Sequence, residues 1–479
     1  MKGLDASEIR FSELPADGSN SRTDPEFFSK RFIENEAIVR KAKFPKFPLV
    51  SLTTKIDVGH VGSMAHEYSE KGVILLQTQN IQQFLINYSD CVRVSQHFHD
   101  TLKKSQIFSG DCLIARSGSI GNAAFVTDLD PQPLNSADII IVRPDSNKIT
   151  NGYLAAFLNS KIGALQIERY SSGGVQGHIN LKAIEHVCVP LLSKLFQESI
   201  DRTVRDGMST FRSANDIYES ANKTLIEALG LKDWRPPEPL TYTRAASEIF
   251  AASRMDAEHF QPKYRALLAH ARKCAVRVRR VQEFAAHCER GEQPEYYDDG
   301  TLSVITSKHI LETGLDYENF ARTREDYWTN IDFVSARIFQ NDILTYTTGA
   351  KVGRTAAYLS DERALASNHV NVLRVREENP VYVSVAMNSM IGRWQTRMCV
   401  TGSAQVELYP NDIRSFSIPF VDPKTEAAIV SAVHSAHAAR AKASELLKRA
   451  KRAVEIAIEQ DEKAALDYLN SGKQLTSAK

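Results

Sequence analysis

Apolar positions follow two periods along the chain. Short apolar runs bounded by turn residues, at 72–76, 111–115 and 139–142, predict buried strands. Longer stretches follow a helical period instead. Ala214, Ile217, Ala221, Thr224 and Ala228 recur at alternating spacings of three and four, with Tyr218, Leu225 and Leu229 beside them. Leu446, Leu447, Ala450, Ala453, Val454, Ala457 and Ile458 repeat that pattern. Both read as the seam of a coiled coil, over long helices at about 194–229 and 423–468. Each helix has one strong seam, so each is expected to pair with the other. Helices are also predicted at 26–43, 152–170, 257–285 and 380–398. Gly230 and the run 235–239, RPPEP, cannot continue a helix and mark a boundary between two halves.

The halves repeat one another. Arg22 to Phe28, RTDPEFF, matches Arg254 to Phe260, RMDAEHF. GDCLIARSGSIG, from Gly110 to Gly121, matches NDILTYTTGAKVG, from Asn341 to Gly353, with one inserted residue. Asn135 and Asn368 each precede an apolar strand. Tyr153, Asn159, Ser160, Gly163, Gln166, Gln176, Ile184 and Pro190 return 229 residues later as Tyr382, Asn388, Ser389, Gly392, Gln395, Gln405, Ile413 and Pro419. Eight identities at one offset predict a shared fold in an α+β protein with two pseudo-symmetric halves. Each half is a strand-rich body followed by a long helix, which suits a two-part target. The expected divisions are an N-terminal extension at 1–21, a first body at 22–193 and its helix at 194–230. A linker at 231–253, a second body at 254–421, its helix at 422–470 and a tail at 471–479 follow.

Composition narrows the chemistry. A chain of 479 residues with 43% hydrophobic and 24% charged residues is ordinary for a soluble protein of several domains. There is no apolar run near the ~20 residues of a membrane span, and the polar start has no apolar signal core, so a cytoplasmic location is expected. Six scattered cysteines without a CxxC pair argue against a disulfide framework or a zinc module. The pair His287 and Cys288 lacks further ligands, and no cofactor is expected. Net charge is +1, so bulk charge does not announce a nucleic-acid binder. Two stretches, 272–290 and 440–452, are rich in Arg and Lys and read either as solvated helix faces or as phosphate-facing patches. No phosphate loop, methyltransferase, metalloprotease, nucleophile-elbow or nuclease pattern is present, which points away from an enzyme.

With these pieces in order, the chain resembles the specificity subunits of Type I restriction-modification systems. GDCLIARSGSIGNAAFV and NDILTYTTGAKVGRTAAYL are similar to one strand-turn element of that family. SSGGVQGHINLKAIEHVCVP and TGSAQVELYPNDIRSFSIP are similar to the element that closes its target recognition domain. The resemblance spans about 22–470, in both halves. It departs where Asn341 stands for a frequent glycine and where Tyr346, Thr347 and Thr348 replace Ala115, Arg116 and Ser117. It implies a non-catalytic subunit whose two target recognition domains each read one half of a bipartite site in double-stranded DNA. The long helices would pack antiparallel as a ruler, and the first, about 36 residues, is long enough for roughly 54 Å. DNA adenine methyltransferase subunits would dock on them, with room for a restriction nuclease or translocase subunit, and no membrane. The competing reading is a non-catalytic protein-interaction scaffold of related architecture.

Base edges are read by Arg, Lys, Asn, Gln, Ser and Thr. Gln77, Gln79 and Asn80 follow an apolar strand in the first body, and Ser307, Lys308 and His309 follow the matching strand in the second. The two sets are unlike, as readers of different half-sites would be, although a polar turn explains them equally well. Arg116, Lys351 and Arg354 sit at the glycine turns as candidate phosphate contacts. Gln176 and Gln405 match between the halves and read as scaffold.

Overall fold

The computed structural model describes residues 24–171, 178–401 and 406–476. Arg22, Gln176 and Gln405 lie outside them. The chain forms two compact units: residues 1–210 with 442–479, and residues 211–441. The spacer helices are therefore not domains of their own. The first, Lys194–Ala228, and the second, Pro423–Glu459, each contribute to both units.

In the first unit, Thr53–Val58, Ile139–Pro144, Cys112–Ala115 and Ala123–Phe125 form an antiparallel sheet in that order. A second sheet runs Tyr68–Ser69, Val92–Val94, Val73–Gln77, Leu134–Ala137 and Gln106–Ile107, with one parallel pairing, between Val73–Gln77 and Leu134–Ala137. Lys46–Pro48 pairs with Cys188–Pro190. The second unit repeats this plan. Ala285–Arg290, Val370–Val375, Ile343–Tyr346 and Thr355–Ala357 form its antiparallel sheet. Ala321–Thr323, Leu302–Ile305, Ala364–Ala366 and Arg337–Ile338 form the other, again with one parallel pairing, and Arg277–Arg280 pairs with Ser417–Phe420.

The identities shared by the halves do the same work in each. Tyr153 and Tyr382 are fully buried and donate their hydroxyls to the carbonyls of Pro190 and Pro419 at 2.5 and 2.7 Å. Gln166 pairs with both backbone groups of Cys188, and Gln395 with both of Ser417. The helices expected at 152–170 and 380–398 are each two, Asn151–Asn159 with Lys161–Arg169 and Pro380–Asn388 with Met390–Cys399, and these bonds hold the closing strand against both members of the pair. Asn159 brackets Ala123, accepting from its N–H and donating to its carbonyl, while Asn388 accepts from the N–H of Thr355. Ser160 and Ser389 cap the next helix, each accepting one of its first N–H groups. A Cβ on Gly163 would lie 2.1 Å from the carbonyl oxygen of Phe157, and one on Gly392 1.9 Å from that of Met387, so only glycine fits the break between the two helices.

A second shared device lies in the GDCL and NDIL segments. Arg143 forks onto the buried Asp111 at 2.7 and 2.9 Å, and Arg374 onto the buried Asp342 at 2.7 and 2.6 Å. Each carboxylate also accepts a backbone N–H, from Phe108 and Phe339. Each carboxylate leaves water with its oxygens bonded to a guanidinium fork and a backbone N–H, while the guanidinium itself stays partly exposed.

Each unit packs a stretch of one long helix against a stretch of the other. In the first unit Phe196, Ile200, Val204 and Met208 join one core with Leu447, Ala450, Ala453, Val454 and Ala457. A Cβ on Gly207 would meet Leu447 at 2.9 Å, so the glycine lets the backbones approach. In the second unit Tyr218, Ala221, Leu225 and Leu229 meet Ile429, Val433 and Ala436. In the first unit the helices run antiparallel, since Ser193, just before the first, bonds Glu462, just past the second, while Gly207 meets Leu447. Three other expectations need correction. The first seam is turned by one residue: Ala214, Tyr218, Ala221 and Leu225 are buried, and Ile217, Thr224 and Ala228 flank it. The second helix stops at Glu459, and a separate helix, Glu462–Thr476, begins where Asp461 accepts the N–H of Ala464. Leading helices span only Lys30–Lys41 and Pro262–Cys274, because Arg277–Arg280 is drawn into a strand by Ser417–Phe420. Among the described residues no helix is long and apolar enough to cross a membrane.

Candidate nucleic-acid interface

The strand Val73–Gln77 ends in a single 3-10 turn, Thr78–Asn80, and Leu302–Ile305 leads to its counterpart, Ser307–His309. Both turns are closed by the third residue's side chain. Asn80 Oδ1 accepts the N–H of Gln77 at 2.8 Å, and His309 Nδ1 accepts that of Thr306 at 2.9 Å. The loop then folds back, as Asn87 N–H donates to the Asn80 carbonyl and Asp316 N–H to that of His309. Asn80 and His309 are thus buried, at 2% and 1% exposure, and serve the turn itself. Burial pushes the His309 imidazole down to about 4, helped by the neighbouring Lys308 charge, so the ring is neutral and accepts at Nδ1.

The middle of each turn faces outward. Gln79 and Lys308 are exposed, and Gln77 and Ser307 are half-buried. Gln79 Nε2 donates to Gln77 Oε1 at 3.3 Å, and Gln77 Nε2 donates to the Tyr68 hydroxyl at 3.1 Å. Lys308 has no hydrogen-bond or ion-pair partner among the described residues. It stands at a shallow depression of about 480 Å³ lined also by Tyr296, Tyr297, Thr306 and Arg322.

The residues at the glycine turns are tied inward. Arg116 donates to the Ile179 carbonyl at 2.9 Å and to Asp138 at 2.6 Å. The Asp138 carbonyl accepts the Thr78 hydroxyl at 2.8 Å, so Arg116 is linked to the first reading turn through one residue. Arg354 is buried and donates to Glu312, just past the second turn; Lys351 is half-buried. Gly121 and Gly353, at φ 83° and 89°, hold the turns these residues flank. Part of each basic stretch is bonded within its own unit: Arg277 and Arg279 pair with Glu378, Arg452 pairs with Glu455, and Arg449 donates to the carbonyls of Tyr468 and Leu469. Arg440 is half-buried and donates to the Thr313 carbonyl and to Asn215. Cys288 bonds Asn371 and His287 bonds the Ser335 carbonyl.

Sequence reasoning missed Tyr68, Arg93, Tyr297 and Arg322. The signal was available: Tyr68 and Arg93 return as Tyr297 and Arg322 at the same 229-residue offset.

No family model matches the chain, and no curated protein does. Among solved structures it is similar to the S subunit of a Type I restriction-modification system from M. genitalium, with 12% identity and a TM-score of 0.38, over 88% of this chain and 96% of that one. It is also similar to the HsdS subunit from Thermoanaerobacter tengcongensis, with 12% identity and a TM-score of 0.28, over 87% and 97%. A chain from a structure of Type I R-M complex assembly and conformational transition is 14% identical, with a TM-score of 0.29, over 88% and 99%.

Proposed function

We propose that this chain is the sequence-reading subunit of a Type I restriction-modification complex, without a catalytic site of its own. Each unit reads one part of a bipartite site in double-stranded DNA. Adenine methyltransferase subunits act where the chain places them, and a restriction subunit uses the same address. One observation carries the reading. Two units share strand order, buried bonds and turn closure, yet differ at the outward residues of the turn, Gln77, Thr78 and Gln79 against Thr306, Ser307 and Lys308. A scaffold that repeats while its tips diverge suits a pair of readers for unlike half-sites. Gln79, Lys308, Gln77 and Ser307 are the candidate base contacts. Asn80 and His309 position them, and Arg116, Lys351 and Arg354 brace the neighbouring turns beside the phosphates. The protein-interaction scaffold predicts no such division between buried agreement and exposed difference.

The test is methylome sequencing of cells expressing this chain with its partner methyltransferase, against cells expressing the methyltransferase alone. A bipartite N6-methyladenine motif is expected only with the chain. A verified complex that yields no new motif would sink the proposal and favour the scaffold.

A further inference from the structure

The two reading turns carry different hydrogen-bonding chemistry on one frame. In the first unit the outward groups are amides. Gln77, a candidate contact itself, also positions its neighbour, its Nε2 donating to Tyr68 and its Oε1 accepting from Gln79. Gln79 keeps its own Oε1 and the second hydrogen of Nε2, an acceptor and a donor side by side. Adenine presents the complement in the major groove, N6 as donor and N7 as acceptor. In the second unit Thr306 stands where Gln77 stands, and its shorter side chain leaves open the depression of about 480 Å³. The outward groups there are cations. Lys308 carries three donors and no acceptor. Arg322 is exposed and has Nη1 bonded to the Thr301 carbonyl and Ser303 Oγ, at 3.2 and 2.9 Å, leaving Nε and Nη2. Guanine presents two acceptors, O6 and N7, where adenine would set its N6 donor against these donors.

We infer that the second unit reads a G·C pair through Lys308 and Arg322, while the first reads an A·T pair through Gln79, held by Gln77 and Tyr68. This rests on the DNA-reading function proposed above. It assigns base identity to each half and adds Arg322 to the specificity-determining residues.

The full chain is expressed with its methyltransferase in cells free of other adenine methylation, and the methylated motif is sequenced for wild type and variants. Lys308→Ala is expected to relax one position, a G·C pair in the wild-type motif, with discrimination falling roughly five- to hundredfold. Lys308→Arg keeps the guanine, and Gln79→Ala relaxes an A·T position in the other part. In binding assays, 7-deazaguanine at the Lys308-dependent position weakens the wild-type complex and leaves Lys308→Ala unchanged. Relaxation by Lys308→Ala at an A·T pair overturns the base assignment, as does an unaltered motif in all variants. A wild-type complex that produces no bipartite motif fails the proposed function itself, a separate result.

Discussion

The first and second units are the same frame carried by different surfaces. Polar side chains that hold the shared frame agree in residue and in role, Tyr153 with Tyr382, Asp111 with Asp342 and the half-buried Gln166 with Gln395, while the buried Thr345–Thr355 bond of the second unit falls where the first has Ile114 and Ala123. Where a side chain faces water at the reading turn, they diverge. The cause is energetic. A buried donor or acceptor without its partner costs about 1–3 kcal/mol, so substitution there is restricted. An exposed side chain exchanges one set of water contacts for another and is free to change with the ligand. Agreement between halves therefore marks support, and disagreement inside an agreed frame marks the reader.

The sharpest test of equivalence is the buried ion pair. Arg143→Met and Arg374→Met each strand a carboxylate that is 0–1% exposed. Each should cost about 3–5 kcal/mol, by the same amount in both units. Urea unfolding followed by hydrogen exchange at Cys112–Ala115 and Ile343–Tyr346 assigns each loss to its unit. A large loss in one and none in the other would break the equivalence.

The next effect separates the units. His309 sits at about 4 in the folded chain, below the ordinary 6.5, because burial disfavours its charged form. Between those values the unfolded chain binds the proton and the folded chain does not, so stability falls as pH drops from about 6.5 to about 4. The difference corresponds to about 3 kcal/mol at the acid end. Asn80, the counterpart in the first unit, does not titrate. Protection factors at Leu302–Ile305, corrected for the intrinsic exchange rate at each pH, should fall toward pH 4 while those at Val73–Gln77 hold. His309→Asn, which retains an acceptor for the Thr306 N–H, should remove the dependence.

These contrasts also set what could be read from sequence. The repeat was legible because backbone-bonding side chains such as Gln166 and Gln395 tolerate no substitute, and identity at a fixed offset survives in the letters. The roles of Asn80 and His309 were not. Oδ1 of one and Nδ1 of the other accept the same N–H, an equivalence of geometry without likeness of name. Both stand as candidates for lying near DNA, with a polar turn as the equal alternative, and both are buried. Ala221 was placed correctly in the seam, but Ile217 and Tyr218 are neighbours on the helix, and the partner decides which turns inward. The end of the second long helix was missed because apolar spacing continues through Ala464 and Ala465; the capping Asp461 was its only mark. Arg322 repeats Arg93 at the same offset, but its place beside Lys308 is set by the pairing of distant strands, which no local pattern marks.

Smaller effects test the closing strand. Gln166→Leu leaves both backbone groups of Cys188 without their partner, and Gln395→Leu does so for Ser417. Each should cost about 2 kcal/mol, seen as faster exchange at Val189 and Ile418. Equal losses support one mechanism in both units.

The finest distinction lies in the two buried tyrosines. Tyr153 makes one bond, donating its hydroxyl to the Pro190 carbonyl at 2.5 Å. Tyr382 donates to the Pro419 carbonyl at 2.7 Å and also accepts the Val421 N–H at 3.3 Å. Tyr153→Phe removes one bond and should cost about 1 kcal/mol. Tyr382→Phe removes two and leaves a donor as well as an acceptor unmatched, so it should cost more by about 0.5 kcal/mol, the long second bond being the weaker. Exchange at the Val421 amide should rise in Tyr382→Phe, whereas the matching position, Leu192, is not bonded by Tyr153 and should be unmoved in Tyr153→Phe. If the two variants lose equal stability and Val421 keeps its protection, the 3.3 Å contact contributes nothing and the units are energetically alike even here. If they differ as expected, the repeat has begun to diverge in its core as well as at its readers, by the addition of a bond rather than the loss of one.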